Sequence, residues 1–260
     1  MSDQATYDFG FNDTHAATIA ALAHREFGLK FEPAKNHLIY TRLTRRLRAL
    51  RMKDFGDYCA FMQSDAGAEE RTQLLSALTT NVTQFFREKH HFDFLANEIM
   101  PALLQRGPGQ NRLRFWSAAC SSGQEPYSLA MTIASKLPVG AAQDIKILAS
   151  DIDPQILITA RKGLYTAEDA GGIPDHLRAQ YTKAAPGDYV AMDQALRKMI
   201  AFRELNLIAD WPMRGSFDLI MCRNVAIYFD KPTQEVLWQK FADKLPLGCL
   251  LYTSPSPRDS

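Results

Sequence analysis

The chain has 260 residues, 46% of them hydrophobic and 23% charged, and its 30 Lys and Arg against 29 Asp and Glu give a formal net charge of +1. This length allows one large domain or two small ones, and the composition is that of an ordinary soluble globular protein. A charge so close to zero provides no overall basic field that would favour nucleic acid or an acidic membrane surface.

The cysteines and the N-terminal residues indicate a reducing compartment. The cysteines are widely spaced and form no CxxC pair: Cys59, Cys120, Cys222 and Cys249. Neither a zinc site nor a disulfide framework is therefore predicted. The stretch MSDQATYDFG has no apolar signal segment, and no apolar run is long enough to span a membrane. We expect a cytoplasmic protein without a metal ion.

Residues 14–80 show apolar residues at helical spacing, which predicts an all-helical N-terminal domain over residues 1–80. Its most informative part is Lys35 to Lys53, which holds seven Lys and Arg and no acid. One side of this amphipathic helix is apolar: Ile39, Leu43, Leu47 and Leu50. The other sides carry Arg42, Arg45, Arg46, Arg48 and Arg51. They form either a solvated helix face or a surface for an acidic partner.

Residues 81–110 are expected to connect this domain to the next through a helix and a linker. The residues that could cap the helix are Thr80, Asn81 and Thr83. The side chains that it would bury are Phe85, Phe86, Phe92 and Leu95. We expect it to end near Pro101, before a loop at Gly107-Pro108-Gly109.

From residue 111 to 260 strands and helices alternate, which is typical of a parallel, doubly wound α/β sheet. The predicted elements are strand 113–118, helix 125–136, strand 145–150, helix 154–162, strand 199–202, strand 217–221 and helix 231–244. The segment 163–198 interrupts this pattern with Gly-Gly, Pro-Gly and a short strand-like DYVAM. It predicts a small β-subdomain inserted at the sheet edge.

The stretch Leu113 to Ser128, LRFWSAACSSGQEPYS, reads as a buried strand, a turn of small residues and a helix. Such a unit places backbone N–H groups and a helix N-terminus at the carboxyl end of the strand, where ligands bind, although an ordinary turn is the alternative. The turn lacks GxGxxG, so a pyrophosphate cradle is not predicted. A nucleoside without phosphates fits better, and S-adenosylmethionine is the common one.

Acidic residues follow the first two strands. Asp151 could accept the ribose hydroxyls of a nucleoside, while either it or Asp153 could instead cap the helix that begins at Pro154. Glu125, at the start of the preceding helix, suits a cationic ligand group such as the amine or sulfonium of S-adenosylmethionine. Alternatively, an acid in a first helical turn is stabilised by the helix dipole and needs no ligand.

The strand FDLIM is followed by Arg223 and Asn224, with Tyr228 four residues beyond. Polar residues in this place are expected at the open end of the sheet, over a cofactor. Arg223 could instead form a surface ion pair, and Tyr228 could be a core residue with its hydroxyl at the rim. GxSxG, HExxH and P-loop motifs are absent from the sequence.

Four segments together resemble the chemotaxis receptor methyltransferases of the CheR type, in order and spacing, along roughly residues 30–245. They are TTNVTQFFREKHHF (79–92), WSAACSSGQEPYSLA (116–130), ASDIDPQILITARKGLY (149–165) and FDLIMCRNVAIYFDK (217–231). The resemblance implies a helical domain followed by a Rossmann-like S-adenosylmethionine methyltransferase sheet with a small β-subdomain. It also implies methyl-ester formation on glutamate side chains of chemoreceptor cytoplasmic helices, with S-adenosylhomocysteine as the other product.

The resemblance also implies site residues. Those for the cofactor are Asn81, Thr83, Arg87, Glu125, Asp151, Asn206, Leu207, Arg223 and Asn224. Arg87 and Tyr228 match positions that face the substrate glutamate, and the arginine-rich helix 36–52 matches the one that lies along the receptor. A glutamate, with a pKa of about 4.3, is ionised at neutral pH, so positioning rather than a general base is needed. We expect a monomer, and no receptor tail peptide on the short loop between Tyr181 and Tyr189.

The residues from 246 to 260 depart from the family pattern. Pro255 and Pro257 are incompatible with a continuing central strand. We therefore expect C-terminal strands that are missing or altered, an exposed sheet edge and reduced stability. Two rival functions remain open: a methyltransferase acting on RNA, and a cofactor-binding regulatory module without turnover.

Overall fold

The computed structural model describes residues 8–79, 81–106, 112–138, 144–246 and 250–253. It contains two compact units: a helical unit of residues 8–79 with Ile227–Gln234, and an α/β unit of the described residues of 81–226 and 235–253. Some residues singled out from the sequence lie outside the described ranges: Thr80, Gly107, Pro108, Gly109, Cys249, Pro255 and Pro257.

The helical unit is built from α1 (Asp13–Phe27), α2 (Asn36–Leu50), α3 (Phe55–Gln63) and α4 (Ala68–Leu78). Local signals define the ends of α1. The side chain of Asn12 accepts a hydrogen bond from the backbone N–H of His15, and Gly28 ends the helix with φ of 72°. The predicted all-helical N-terminal part is confirmed.

The apolar stripe of α2 faces the interior of this unit. Ile39, Leu43 and Leu47 are fully buried, whereas Leu50 is half-buried. This burial supplies most of the stability of the helix, because an isolated helix of its length is marginal in water.

The connecting helix begins and ends later than predicted. The chain is helical over α5 (Lys89–Phe94), a π-helical segment Leu95–Ile99 and α6 (Met100–Leu104). Phe86 and Glu88 have φ of 52° and 54°, in the left-handed region, so the chain cannot be helical from Asn81 onward. Pro101 directly follows the π-helical segment and Met100, so it lies inside the continuous helical stretch and not at its end. The predicted burial of four side chains holds: Phe85, Phe86, Phe92 and Leu95.

The α/β unit has a parallel sheet, which confirms the predicted fold class. Its strands are β1 (Arg112–Ala118), β2 (Asp144–Asp151), β6 (Ile200–Glu204), β7 (Leu219–Cys222) and β8 (Leu250–Thr253). Their order within the described residues is β6-β2-β1-β7-β8, and all neighbouring pairs are parallel. The tail therefore contributes a strand at Leu250–Thr253, in spite of the prolines that follow in the sequence.

Helices cover both faces of this sheet. The main crossovers are α7 (Gln124–Lys136), α8 (Pro154–Lys162) and α12 (Lys231–Ala242). Phe115 belongs to the core on the α7 face, whereas Trp116, the next residue of β1, points to the other face and meets Phe241 of α12 at a ring distance of 5.2 Å. This alternation is the period of two of a strand that is buried on both faces.

The predicted insertion folds as a small antiparallel sheet. Its strands are β3 (Leu164–Thr166), β4 (Thr182–Ala185) and β5 (Tyr189–Met192), in the order β3-β5-β4. Three short helices accompany it: α9 (Ala167–Ala170), α10 (Asp175–Tyr181) and α11 (Gln194–Met199). Gly187 and Asp188, at φ of 74° and 60°, provide two left-handed residues in the turn between β4 and β5.

Candidate active site

The order in which the chain adds strands to the sheet reverses at β1, although all the strands run parallel. From β1 the chain passes through α7 to β2 on one side, whereas β7 pairs with β1 on the other side. In open α/β sheets ligands bind at such a switch point, outside the carboxyl ends of the strands. The residues predicted for the cofactor follow these strands: Glu125 after β1, Asp151 at the end of β2 and Arg223 after β7.

The turn between β1 and α7 has an unusual backbone. Ala119, Ser121 and Gly123 all have positive φ, of 58°, 50° and 97°. A Cβ on Gly123 would lie 2.7 Å from the hydroxyl oxygen of Tyr165, which itself donates to the carbonyl of Ser122 at 2.7 Å. Glycine is thus required by both conformation and space.

Asp151 is held as a buried acceptor at the end of β2. One carboxylate oxygen accepts the N–H of Ser121 at 2.7 Å and the other accepts the N–H of Asp153 at 3.0 Å. Burial raises the pKa of Asp151, and these backbone N–H groups oppose the shift. The N–H of Ile152 acts in the same direction. A carboxylate has about four lone-pair sites in all, so acceptor sites remain for ligand hydroxyls.

Of the two acids, Asp153 is the one that caps the helix α8. Its side chain accepts hydrogen bonds from the N–H groups of Gln155 and Ile156. The side-chain amide of Asn81 donates to the carboxylate of Asp153 at 3.1 Å, and the backbone carbonyl of Asn81 accepts a hydrogen bond from the hydroxyl of Ser121 at 2.9 Å. These bonds bring the segment that begins at Asn81 to the β1–α7 turn.

Glu125 and Arg223 form a buried ion pair. One oxygen of Glu125 accepts from Nη1 of Arg223 at 3.2 Å, and the other accepts the hydroxyl of Ser117 at 2.7 Å. Nη2 of Arg223 lies 3.1 Å from a carboxylate oxygen of Glu88. Only 2% of the Arg223 side chain is exposed, so the surface interpretation of this residue was wrong. Burial raises the pKa of Glu125, and Arg223 is the main opposing influence.

This cluster also positions the backbone of Arg87. Nη2 of Arg223 donates to the carbonyl of Arg87, and the N–H of Phe86 donates to the buried hydroxyl of Ser128 at 2.9 Å. The side chain of Arg87 is half-buried and donates to the carbonyl of Val82 at 3.2 Å. Among the residues that the structure describes, this is the one hydrogen bond of the guanidinium, so other N–H donors remain for a ligand. Thr83 lies half-buried on the same segment.

The remaining predicted residues fall into three places. Asn206 and Leu207 follow β6 beside Asp151, whose carbonyl accepts the N–H of Leu205 at 2.9 Å. Asn224 has φ of 57° directly after Arg223. Tyr228 belongs to the helical unit, in the 3-10 turn Ala226–Tyr228, where its carbonyl accepts the N–H of Lys30 at 2.8 Å.

Three contributors were missed from the sequence: Ser117, Ser121 and Glu88. Glu88 directly follows Arg87 in the quoted motif, so its place was a usable signal. The two serines were visible only as small residues near the strand end.

In the described ranges, no three His, Cys, Asp or Glu side chains come together as a metal site. No helix of the same ranges has the length and apolar character to cross a bilayer.

Comparisons with known proteins agree with this geometry. The family model for the CheR methyltransferase all-alpha domain matches residues 15–79, and that for the CheR methyltransferase SAM binding domain matches residues 81–256. A probable chemotaxis protein methyltransferase of Rhizobium etli is 44% identical over 242 residues, which are 92% of this chain and 90% of that protein. The chemotaxis protein methyltransferase of Escherichia coli is 37% identical over 257 residues, or 97% and 87%.

Among solved structures, the plantazolicin methyltransferase BpumL in complex with SAH is 10% identical, with a TM-score of 0.38, over 92% of this chain and 58% of that chain, a likeness too distant to bear on function. The family models cover both units, and the sequence relatives extend along nearly the whole chain. The residues at the carboxyl ends of β1, β2 and β7 fit a nucleoside that carries an amino acid. The chain belongs to the CheR chemotaxis protein methyltransferase family, whose methyl donor is S-adenosylmethionine.

Proposed function

We propose that this protein transfers a methyl group from S-adenosylmethionine to glutamate side chains of chemoreceptor cytoplasmic helices and so forms glutamyl methyl esters. The observation that carries the proposal is the cluster of Glu88, Arg223 and Glu125 beside Arg87, at the same sheet edge as Asp151. We further propose that it works as a cytoplasmic monomer, and that its domains are the helical unit and the α/β unit.

We assign the cofactor to the β1–α7 turn and to the end of β2 that contacts it. Asp151 is to accept the ribose hydroxyls through its free lone pairs, and Glu125 is to face the amino-acid end. Contacts from around the pocket complete the set: Asn81, Thr83, Arg87, Asn206, Leu207, Arg223 and Asn224. Arg223 divides its N–H donors between Glu125 and Glu88, and a carboxylate at this end of the site favours a cationic group of the ligand.

Arg87 and Tyr228 are assigned to the substrate glutamate. S-adenosylmethionine supplies a methyl carbon on a sulfonium, and the bond from carbon to sulfur breaks as the bond from the carboxylate oxygen to carbon forms. Arg87 is to hold the second carboxylate oxygen by a charge-assisted bond, and Tyr228 to orient it through its hydroxyl. The carboxylate loses its charge on the way to the ester, so a strong ion pair would stabilise the reactant more. Arg87 therefore acts by positioning.

We assign fewer arginines to the receptor surface than the five named from the sequence. Arg46 pairs through two bonds with Glu70, which is 5% exposed, and Arg42 donates to the carbonyl of Leu78 at 2.5 Å. These two side chains hold α2 to the rest of the helical unit. We assign the receptor to the exposed residues Arg45, Arg48 and Arg51.

The test is incubation with tritiated S-adenosylmethionine and a receptor cytoplasmic fragment. We expect label on the receptor that is released by mild base, as for a carboxyl methyl ester. Base-stable label, or label on added RNA instead of the receptor, would contradict the proposal. Calorimetry with S-adenosylhomocysteine separates failure of cofactor binding from failure of the reaction.

A further inference from the structure

A cleft that is separate from the site described above lies in the α/β unit beside β6, between the C-terminal end of α8 and α11. Its volume is about 510 Å³. Its charged and polar lining consists of Tyr127, Arg161, Gln194, Arg197, Lys198 and Arg203. None of the residues assigned above to the cofactor or the receptor lines it. We propose that this cleft, called here the basic cleft, binds the phosphate groups of a small polyphosphate anion.

The first argument is uncompensated charge. The four cationic side chains are exposed, and none of them forms an ion pair with a carboxylate among the residues that the structure describes: Arg161, Arg197, Lys198 and Arg203. The ammonium of Lys146 adds a fifth cation, at 3.4 Å from the carbonyl of Lys198. Converging like charges repel one another, and a bound anion would relieve this cost.

Nearby acids do not cancel this charge. Asp193 is engaged with Lys183 at 3.4 Å and caps α11 through the N–H of Ala195. Glu204 follows Arg203 on β6, so its side chain points to the opposite face of the strand.

The second argument is that backbone carbonyls hold the guanidiniums in place. Arg161 and Arg203 both donate to the carbonyl of Phe202, at 3.3 and 2.8 Å. Arg197 donates to the carbonyl of Arg161 at 3.0 Å. Each guanidinium has five N–H donors, so most donors remain for a ligand. Arginines with reduced freedom lose less entropy on binding, which makes them better receptors than solvated surface arginines.

The third argument concerns the class of anion. The planar fork of arginine matches phosphate oxygens, and three arginines around one small cleft suit several linked phosphates. The ring of Tyr127 is fully buried and is the only aromatic ring in the lining besides that of Phe202, which is 6% exposed. The cleft thus has no exposed ring on which a base could stack, and we expect binding through phosphates alone. The volume is that of a small-molecule site rather than of a long peptide groove.

The experiment is calorimetric titration of the full chain with sodium pyrophosphate at low ionic strength, where screening is weakest. The protein is first saturated with S-adenosylhomocysteine, so that no nucleotide can enter the cofactor site. A second arm uses adenosine triphosphate. If pyrophosphate and adenosine triphosphate have the same binding free energy per phosphate group, the phosphates alone are sufficient for binding. A much larger binding free energy per phosphate group for the nucleotide would overturn the proposal of recognition through phosphates alone.

The matched variants are Arg161→Gln/Arg197→Gln in the cleft and Lys162→Gln/Lys231→Gln on the exposed surface, which remove the same charge. We expect the cleft variant to bind pyrophosphate at least about tenfold more weakly, and the surface variant to stay within about twofold of the wild type. Equal losses in both variants, or no loss in the cleft variant, would overturn the proposal.

Arg203→Gln is a further variant, because among the described residues Arg203 bonds only to the carbonyl of the residue before it, so its loss should perturb little else. Unchanged affinity for S-adenosylhomocysteine shows that each variant is folded. An acidic peptide that displaces pyrophosphate from the cleft at equal concentration would show that the site selects carboxylates, against the proposal.

Discussion

Nη1 of Arg223 lies 3.2 Å from a carboxylate oxygen of Glu125, with 2% and 14% of the two side chains exposed. The same guanidinium reaches Glu88 at 3.1 Å. Arg223 thus divides its N–H donors between two carboxylates, in a place where burial strengthens electrostatic interactions. A carboxylate has about four acceptor sites, so Glu125 can still accept from a cationic ligand group although it already has a partner.

Glu125→Gln is expected to weaken the binding of S-adenosylmethionine by at least about tenfold, because a charge-assisted contact is worth about 1.5–3 kcal/mol. Glutamine keeps one acceptor oxygen for Arg223, and its NH2 group can donate to the hydroxyl of Ser117, which can accept as well as donate, so the fold should persist. Calorimetry with the methyl donor and with S-adenosylhomocysteine measures this. An unchanged dissociation constant for both ligands would exclude a cofactor role for Glu125.

The pH dependence of cofactor binding provides an independent check. Burial raises the pKa of Glu125, and the binding form is the carboxylate, which is populated above that pKa. The affinity for S-adenosylmethionine should therefore fall as the pH is lowered from 7 through this raised pKa, over a range in which the amine of the ligand is already protonated. Glu125→Gln should lose the part of this dependence that comes from Glu125 and keep the part that comes from Asp151, whose pKa burial also raises. Parallel pH profiles for the wild type and the variant would contradict the assignment.

Asp151→Asn should reduce both stability and cofactor affinity. Both carboxylate oxygens accept backbone N–H groups, and an amide offers only one oxygen, so one buried donor would face an NH2 group. Such a mismatch costs about 1–3 kcal/mol. Asp54→Asn is the matched control, because asparagine still caps α3 at an exposed position and should cost only a few tenths of a kcal/mol. Urea denaturation and calorimetry give the two readouts, and equal effects of both substitutions would be against this account.

The pattern of strands and helices could be predicted because the apolar residues follow the periods of these elements. The start of α5 could not. In the segment 86–88, where Phe86 and Glu88 are left-handed, the N–H of Phe86 donates to Ser128 and the carbonyl of Arg87 accepts from Arg223, and both partners lie far away in the sequence. Asn81 and Thr83 are good cap residues in themselves, yet these tertiary contacts override the local signal.

The candidate site shows the same limit. Glu125 and Arg223 were each identified from the strand ends that they follow, but they are 98 residues apart and their pairing is set by the order of the strands. Arg46 and Glu70 likewise lie on different helices. Because α2 has no acids of its own, the sequence alone overestimated how many of its arginines are available to a partner.

Arg46→Met is expected to destabilise the helical unit by about 3 kcal/mol, because it leaves the buried carboxylate of Glu70 without its cation. Arg46→Met/Glu70→Gln should recover most of this loss, since glutamine is neutral and can still accept from the hydroxyl of Tyr58. Arg45→Met, at an exposed position of the same helix, should change stability by less than about 0.5 kcal/mol. Chemical denaturation of the three variants decides, and a failure of the double substitution to recover stability would contradict the ion-pair account.

Arg45→Glu/Arg48→Glu should lower kcat/KM for the receptor fragment by about tenfold, mainly through KM, because the exposed cations then repel an acidic helix. The effect should shrink at high salt. Lys162→Glu/Lys231→Glu makes the same change of charge at other exposed positions and should have little effect. If both variants lose activity equally, net charge and not the α2 surface governs receptor binding.

Arg87→Ala should lower methyl transfer by about a hundredfold at saturating S-adenosylmethionine, because misplacement of the reacting oxygen by about 1 Å costs this much. The side chain is half-buried and bonds only to the carbonyl of Val82 among the contacts described, so unfolding should be unaffected within about 0.5 kcal/mol. Arg87→Lys keeps the charge but not the fork, and it should recover only part of the rate if Arg87 positions the glutamate. Recovery of the full rate by lysine would show that charge alone suffices. Full activity of Arg87→Ala in a tritiated-methyl assay would remove Arg87 from the reaction altogether.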